Sequence, residues 1–177
     1  MQTANAEISE MSIQEMGEQY LTFVLNNEEY AIEILKVQEI KSWAPVTPIP
    51  CSPDYLLGVI NLRGAIVPVV DLRQKFGMEP RDFTPVTAVI IVRATDSEQQ
   101  RVAGLVVDQV EEVYHLQAGQ IQDSAGIAAS IDSKFISSLA QIDDKLVILI
   151  NLESIIDSSL ELMNLSDAVK PADQIAS

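Results

Sequence analysis

The chain offers few side chains that can perform acid–base or nucleophilic chemistry. His115 is the single histidine and Cys51 the single cysteine among 177 residues. One histidine cannot form a two-histidine metal site, and the sequence indicates no partner for a histidine-activated nucleophile. His115 lies in an alternating segment and Cys51 in a proline-rich one. We therefore predict a surface or half-buried role for His115 and an apolar packing role for Cys51.

Paired acidic residues are the other candidates for catalysis. They occur at Glu28-Glu29, Glu111-Glu112 and Asp143-Asp144. Each pair falls at a predicted turn or on a strand face, where a solvated charge is the usual explanation. The glycine-rich patterns that bind dinucleotides or nucleoside triphosphates are also missing from the sequence. We expect no enzyme activity and no metal, nucleotide or organic cofactor.

The charge balance restricts the partners. Eleven basic and 26 acidic residues give a net charge of −15, which repels nucleic acid and anionic membrane surfaces. Only 5% of residues are aromatic, which disfavours base stacking and leaves a peptide-binding module as the alternative small-barrel function. No apolar run approaches the length of a membrane span, and no N-terminal signal is apparent. With one cysteine and thus no internal disulfide, the chain is expected in the cytoplasm.

A predicted hairpin occupies the middle of the chain. Its runs, 57–62 and 65–70, are joined at Gly64, which takes positive φ at no steric cost, and Asn61 suits the same tight turn. Arg63 is thereby predicted to project from the corner of the hairpin. Pro68 cannot donate to a strand ladder, so the return strand should have an edge or a bulge there.

A short helix is predicted after this hairpin. Asp71 is a suitable N-cap, Gln74 follows three residues later as in a capping box, and Gly77 can end the helix Leu72–Phe76.

The remaining elements repeat one order of hairpin, short strand, loop, hairpin and helix. The short strands are Val37–Ile40 and Val110–Val113, which share the pattern Val-x-Glu-(Ile/Val). The repeat predicts a mainly β fold of two small five-stranded β-barrels packed together, with short helices including a C-terminal one. Outside the central hairpin, strands are predicted at 20–25, 30–32, 38–43, 87–93, 101–107, 110–116, 135–142 and 145–150, and those at 38–43 and 110–116 continue the two short strands of the repeat. A four-residue loop is predicted at 26–29, an irregular crossover at 117–133 and a helix from 151.

The acidic, weakly apolar ends define the expected domain limits. Residues 1–17 are predicted to be a mobile leader, 18–157 the folded domain, and 158–177 the helix end and an acidic tail that is mobile from 165. An internal boundary is expected near 77–86, across which segments are able to cross over.

The central hairpin resembles the coupling proteins of bacterial chemotaxis, the CheW family. The motifs that match are Asn61-Leu62-Arg63-Gly64 and Pro68-Val69-Val70-Asp71-Leu72-Arg73, and the resemblance extends over residues 18 to 157. It implies two SH3-like barrels and a non-catalytic adaptor. The implied partners are the cytoplasmic tip of methyl-accepting chemoreceptors and the regulatory domain of a CheA-like histidine kinase, in cytoplasmic arrays at the membrane.

The resemblance also implies a receptor site in the groove between the barrels. The residues it places there are Val37, Glu39, Ile40, Gly58, Asn61, Arg63 and Val110. From residue pattern alone, Arg63 is an ordinary solvated turn residue and 37–40 a half-buried edge strand. The kinase domain is implied to bind barrel to barrel, and no motif assigns residues to that contact. Trp43 fits either the rim of a binding surface or a packing role.

Overall fold

A computed structural model describes residues 17–95, 99–124 and 131–169, with side chains of the last helix as far as Glu161. The strands are β1 (Glu18–Leu25), β2 (Glu28–Glu33), β3 (Val37–Ser42), β4 (Leu56–Leu62), β5 (Ala65–Asp71), β6 (Ala88–Thr95), β7 (Gln100–Val107), β8 (Gln109–Leu116), β9 (Ile121–Asp123), β10 (Ile136–Ile142) and β11 (Lys145–Ile150). The α-helices are α1 (Leu72–Lys75) and α2 (Leu152–Val169), and 3₁₀ turns occur at Ile34–Lys36, Ala118–Gln120 and Ser133–Phe135.

The strands form two sheets that exchange hairpins. The six-stranded sheet has the order β8-β1-β2-β11-β10-β9, and the five-stranded sheet has the order β3-β6-β7-β5-β4. The first hairpin, β1-β2, pairs with β8 and β11 from the second half of the sequence, while β6-β7 pairs with β3 and β5 from the first half. The connection near 77–86 therefore separates the sequence halves but not the sheets. The predicted fold of two SH3-like β domains is confirmed.

The C-terminal helix and the crossover at 117–133 contain more regular structure than expected. The leader before Gly17 and residues 170–177 lie outside the described residues. Helix α2 continues to Val169, so the segment from 165 predicted as mobile tail begins as helix. The crossover at 117–133 was predicted to be irregular, but Ile121–Asp123 adds β9 beside β10, giving this sheet a sixth strand.

Asparagine determines the first hairpin turn. Asn26 and Asn27 have φ of 51° and 65°, the left-handed values of a two-residue type I′ turn, for which asparagine is well suited. Glu28 and Glu29 then belong to β2 and pair with Leu25 and Val24. The predicted four-residue loop was therefore two residues too long.

The central hairpin turns where the sequence predicts. Leu62 pairs with Ala65, leaving Arg63 (φ 51°) and Gly64 (φ 88°) at the corner. The Gly64 amide donates to Oδ1 of Asn61 at 2.9 Å. Asn61 therefore stabilises the turn through its side chain.

Strand β5 lies between β4 and β7, so it is not an edge strand as a whole. At Pro68 it has only one neighbour, because the parallel ladder to β7 includes only Val69 to Asp71 and Pro68 pairs with Val59 of β4. The missing N–H of Pro68 thus lies at a local edge, as the sequence predicts.

Helix α1 begins at the predicted cap. The Asp71 carboxylate accepts from the Arg73 amide at 3.0 Å and from Nε2 of Gln74 at 3.1 Å. Gln74 thus contacts the capping side chain instead of the backbone amide of a capping box. The helix ends at Lys75, one residue before the predicted end, and Gly77 has φ of 76°.

Alternate positions along the strands face different cores. In β6, Ile90 and Val92 join an inter-sheet cluster to which both sheets contribute, while Val89 and Ile91 join the core of the five-stranded sheet. The other main members of the inter-sheet cluster are Leu21, Phe23, Leu25, Tyr30, Ile32, Leu56, Val70, Leu72, Phe76, Leu105, Phe135, Ile150, Leu152, Ile155 and Ile156. A separate core of the six-stranded sheet contains Tyr20, Ala31, Leu116, Ala140, Ile142, Val147 and Leu149. Each domain therefore has its own core and shares the inter-sheet cluster.

Ion pairs connect both helix starts to distant chain segments. On α1, Arg73 pairs with Asp108, which follows β7, and its Nε donates to the Glu79 carbonyl at 3.1 Å. On α2, Glu153 accepts from Nζ of Lys36 at 2.7 Å.

Within the described residues, no helix has the length and apolarity needed to cross a membrane.

Candidate partner-binding surface

The first Val-x-Glu segment contains a β-bulge. Val37 and Glu39 pair with two consecutive residues of β6, so Gln38 is an extra residue in β3. A bulge shifts the alternation of side chains by one position. Val37 and Ile40 consequently lie on the face of β3 toward the inter-sheet cluster, and Glu39 lies on the opposite face.

The second Val-x-Glu segment contains the corresponding bulge. Val110 pairs with Phe23 and Val113 with Leu21, so three steps along β8 match two along β1. The hydroxyl of the buried Thr22 donates to the Glu112 carbonyl at 2.9 Å inside this bulge. Because Phe23 and Leu21 belong to the inter-sheet cluster, Val110 and Val113 lie on the corresponding face.

Each bulge therefore presents one half-buried and one exposed apolar side chain. Val37 and Val110 pack against the inter-sheet cluster, while Ile40 is 46% and Val113 is 41% exposed. We call Val37 with Ile40 the first bulge patch, and Val110 with Val113 the second bulge patch. Val113 was not among the predicted site residues, although it occupies the place in the second segment that Ile40 occupies in the first.

Arg63 and Glu39 form an ion pair across the ends of the five-stranded sheet. Nη2 of Arg63 lies 2.7 Å from Oε2 of Glu39, and Nζ of Lys41 lies 3.7 Å from Oε1. The Arg63 side chain is 78% exposed and that of Glu39 only 23%. Because β3 and β4 are the two edges of this sheet, the pair helps to close it into a barrel and leaves the guanidinium available to solvent.

Gly58 acts through the backbone. Thr47 and Val59 exchange backbone hydrogen bonds of 3.0 and 2.9 Å, which bring the loop after β3 onto β4. A Cβ added at Gly58 would lie 2.1 Å from the Thr47 carbonyl oxygen. The structure thus places the buried Gly58 beneath the loop, while Asn61 holds the turn that carries Arg63.

The other side chains singled out in the sequence lie elsewhere. Cys51 is exposed, at φ of 59°, so its predicted packing role was wrong. His115 is exposed and its Nε2 lies 2.7 Å from Nε2 of Gln19. Trp43 packs against Phe83, with ring centres 4.0 Å apart, and against the core of the five-stranded sheet. In the part of the chain that the structure describes, no cluster of three His, Cys, Asp or Glu side chains is arranged for a metal ion.

The fold places the chain in the class of proteins built from two SH3-like β domains. The CheW-like domain model matches residues 19–160. The chain belongs to the CheW-like domain family.

Relatives resemble the chain over most of its length. It is 39% identical to "Chemotaxis protein CheW" of Klebsiella aerogenes, over 93% of this chain and 95% of that protein. It is 37% identical to "Chemotaxis protein CheW" of Rhizobium meliloti, over 80% of this chain and 89% of that protein. Among solved structures, "scaffolding protein TtCheW from Thermoanaerobacter tengcongensis" is similar with a TM-score of 0.70 and 36% identity, over 77% of this chain and 90% of that one.

Proposed function

We propose that this protein is a non-catalytic adaptor that couples methyl-accepting chemoreceptors to a CheA-like histidine kinase in a cytoplasmic signalling array at the membrane. The observation that carries the proposal is the near full-length similarity to proteins named for chemotaxis and to one named a scaffolding protein. The charge of −15 agrees with a protein partner, because it disfavours nucleic acid and anionic lipid.

The receptor tip is proposed to lie where the two domains meet. An amphipathic helix binds a groove through apolar anchors at helical spacing. The two bulge patches offer such contacts on opposite sheets, both beside the inter-sheet cluster. Arg63 would add a charged hydrogen bond at the rim, with Glu39 and Asn61 holding it in position and Gly58 supporting the strand beneath.

The kinase regulatory domain is proposed to bind a different surface, barrel against barrel. An adaptor must hold both partners at once, so the two surfaces have to be separable by substitution. Such a division of contacts distinguishes an adaptor from a module with a single partner.

Titration against each purified partner tests the proposal. A receptor cytoplasmic fragment and a kinase regulatory domain should each bind the protein, and a ternary complex should form when all three are mixed. Binding can be followed by calorimetry and complex size by light scattering. No association with either partner would exclude the adaptor function, and mutually exclusive binding would exclude coupling through simultaneous contacts.

A further inference from the structure

Lys75 occupies an unusual position at the end of α1. The residue is half-buried, and its Nζ lies 3.9 Å from the centre of the Tyr55 ring and 5.5 Å from that of Phe135. Nζ of Lys134 lies 4.9 Å from the same Phe135 ring. Two ammonium groups therefore share one aromatic ring in a strongly acidic protein.

The described part of the chain provides no carboxylate within ion-pair distance of Lys75. Every other described lysine has such a partner. Lys36 pairs with Glu33 and Glu153, Lys41 with Glu39, Lys134 with Asp132, and Lys145 with Glu29. Asp132, two residues before Lys134, lies 3.4 Å from that lysine and forms its ion pair. Among the described residues, the close contacts of the Lys75 ammonium are therefore aromatic faces and not a carboxylate.

This environment favours the neutral amine. Burial, followed by the charge of Lys134, lowers the pKa of Lys75 to about 8. The Tyr55 and Phe135 rings attract the ammonium and hold the side chain in place, which offsets part of this effect. A sizeable neutral fraction near neutral pH is the property that makes a lysine nucleophilic.

We propose that Lys75 is a modification site that accepts acyl groups from small acyl phosphates. The Nζ lone pair attacks the carbonyl carbon, the C–O bond to phosphate breaks, and phosphate leaves with the bonding electrons. An amide N–C bond forms, and the nitrogen releases its proton to solvent. The product is neutral, so it removes the repulsion from Lys134 and places an uncharged amide against the two rings.

Acetylation of the full-length protein by acetyl phosphate tests this assignment. Lys145 is the internal control, because its ion pair with Glu29 raises its pKa. At pH 7.5, peptide mass spectrometry should show Lys75 modified at least about tenfold faster than Lys145. The Lys75 rate should level off above pH of about 8, whereas the Lys145 rate should keep rising.

One variant separates the effect of the Lys134 charge on Lys75 from simple accessibility of Lys75. Lys134→Met removes the neighbouring charge from an exposed position, so the pH profile of Lys75 acetylation should move to higher pH and the rate at pH 7.5 should fall. Equal or slower modification of Lys75 than Lys145 in the wild type would overturn the proposal. An unchanged pH profile in the variant would contradict the role of Lys134.

Discussion

Two arginines, Arg63 and Arg73, illustrate how exposure decides what a charged side chain can do. Arg63 is largely exposed and forms one ion pair with Glu39, so its guanidinium has donors to spare for a partner. Arg73 is only 8% exposed and donates to Asp108, Glu79 and Asn26. Substitution of Arg63 should therefore affect binding, and substitution of Arg73 should affect folding.

We predict that Arg63→Glu weakens receptor binding and spares kinase binding. Loss of a hydrogen bond to a charged group costs about 1.5–3 kcal/mol, which is roughly ten- to a hundredfold in affinity. The melting temperature should fall only slightly, because the lost ion pair with Glu39 is formed by a side chain that is 78% exposed, and such surface pairs contribute about 0–1 kcal/mol. Lys145→Glu is the matched control, since Lys145 is the exposed, ion-paired cation beside the turn of the other domain. Equal loss of both partners would indicate a shared surface, and unchanged receptor affinity would remove Arg63 from the site.

Arg73→Met should destabilise the fold by about 3 kcal/mol, because it leaves the Asp108 carboxylate without its main partner. Urea unfolding followed by circular dichroism would show the lower midpoint. Arg81→Met is the control: this side chain is 58% exposed and 3.9 Å from the same carboxylate, so its loss should cost less than about 0.5 kcal/mol. Similar costs for both variants would contradict the structural role of Arg73.

At the scale of elements, the edges of the five-stranded sheet are joined by contacts outside the regular ladders. The Thr47–Val59 hydrogen bonds and the Arg63–Glu39 ion pair both connect the β3 side to the β4 side. Each depends on local backbone geometry that a small substitution can disturb.

Gly58→Ala should destabilise the protein by at least about 2 kcal/mol, because the new methyl group would overlap the Thr47 carbonyl. The loop after β3 would have to move away from β4, which thermal melting and faster amide exchange of Val59 would report. Gly119→Ala tests the same chemical change where no atom lies within 4 Å, and it should be nearly neutral. A Gly58 variant as stable as wild type would show that the loop yields freely.

The Lys36–Glu153 contact should make stability depend on acid pH. Burial is the largest single influence on Glu153 and opposes its ionisation. The hydrogen bond from Lys36, a backbone hydrogen bond and the charges of Lys36 and Arg101 together outweigh it and lower the pKa of Glu153. A lowered carboxyl pKa gives stability that is present above the unfolded value of about 4.3 and lost as pH falls through the folded value.

Glu153→Gln should therefore lower stability by about 0.5–1 kcal/mol at pH 7, and the difference from wild type should vanish in acid below the folded pKa. Thermal melting at a series of pH values measures this. Glu161→Gln, an exposed change on the same helix, should behave as wild type throughout. A pH-independent difference would assign the effect of Glu153 to packing.

Local elements could be predicted from the sequence because their causes are local. Gly64 and Asn61 indicate the hairpin corner, and Asp71 indicates the helix start. The Arg73–Asp108 pair could not be predicted, since 35 residues separate its members and periodicity identifies strands without naming their neighbours. The position of β9 and the exchange of hairpins were missed for the same reason, because sequence periodicity does not identify which strands are neighbours. The bulges were partly visible as the Val-x-Glu repeat, and the receptor-site residues came from family resemblance.

At the scale of the whole molecule, neither half of the sequence contains a complete sheet. Fragments 1–80 and 81–177 should each lack a cooperative unfolding transition, because their hairpins lose strand neighbours in the other fragment. Mixing the fragments should restore near-UV circular dichroism and a single transition. Independent folding of either fragment would contradict the dependence of each sheet on both halves.

The exchange of hairpins also sets an order of events during protein synthesis. Strand β2 ends at Glu33, but its parallel neighbour β11 ends at Ile150. At about 5–20 residues per second, translation separates these two points by roughly 6–23 s. The nascent chain therefore carries an unpaired strand edge through most of its elongation. During that time the edge is exposed to chaperones and to neighbouring ribosomes, because the C-terminal strand that covers it has not yet been synthesised.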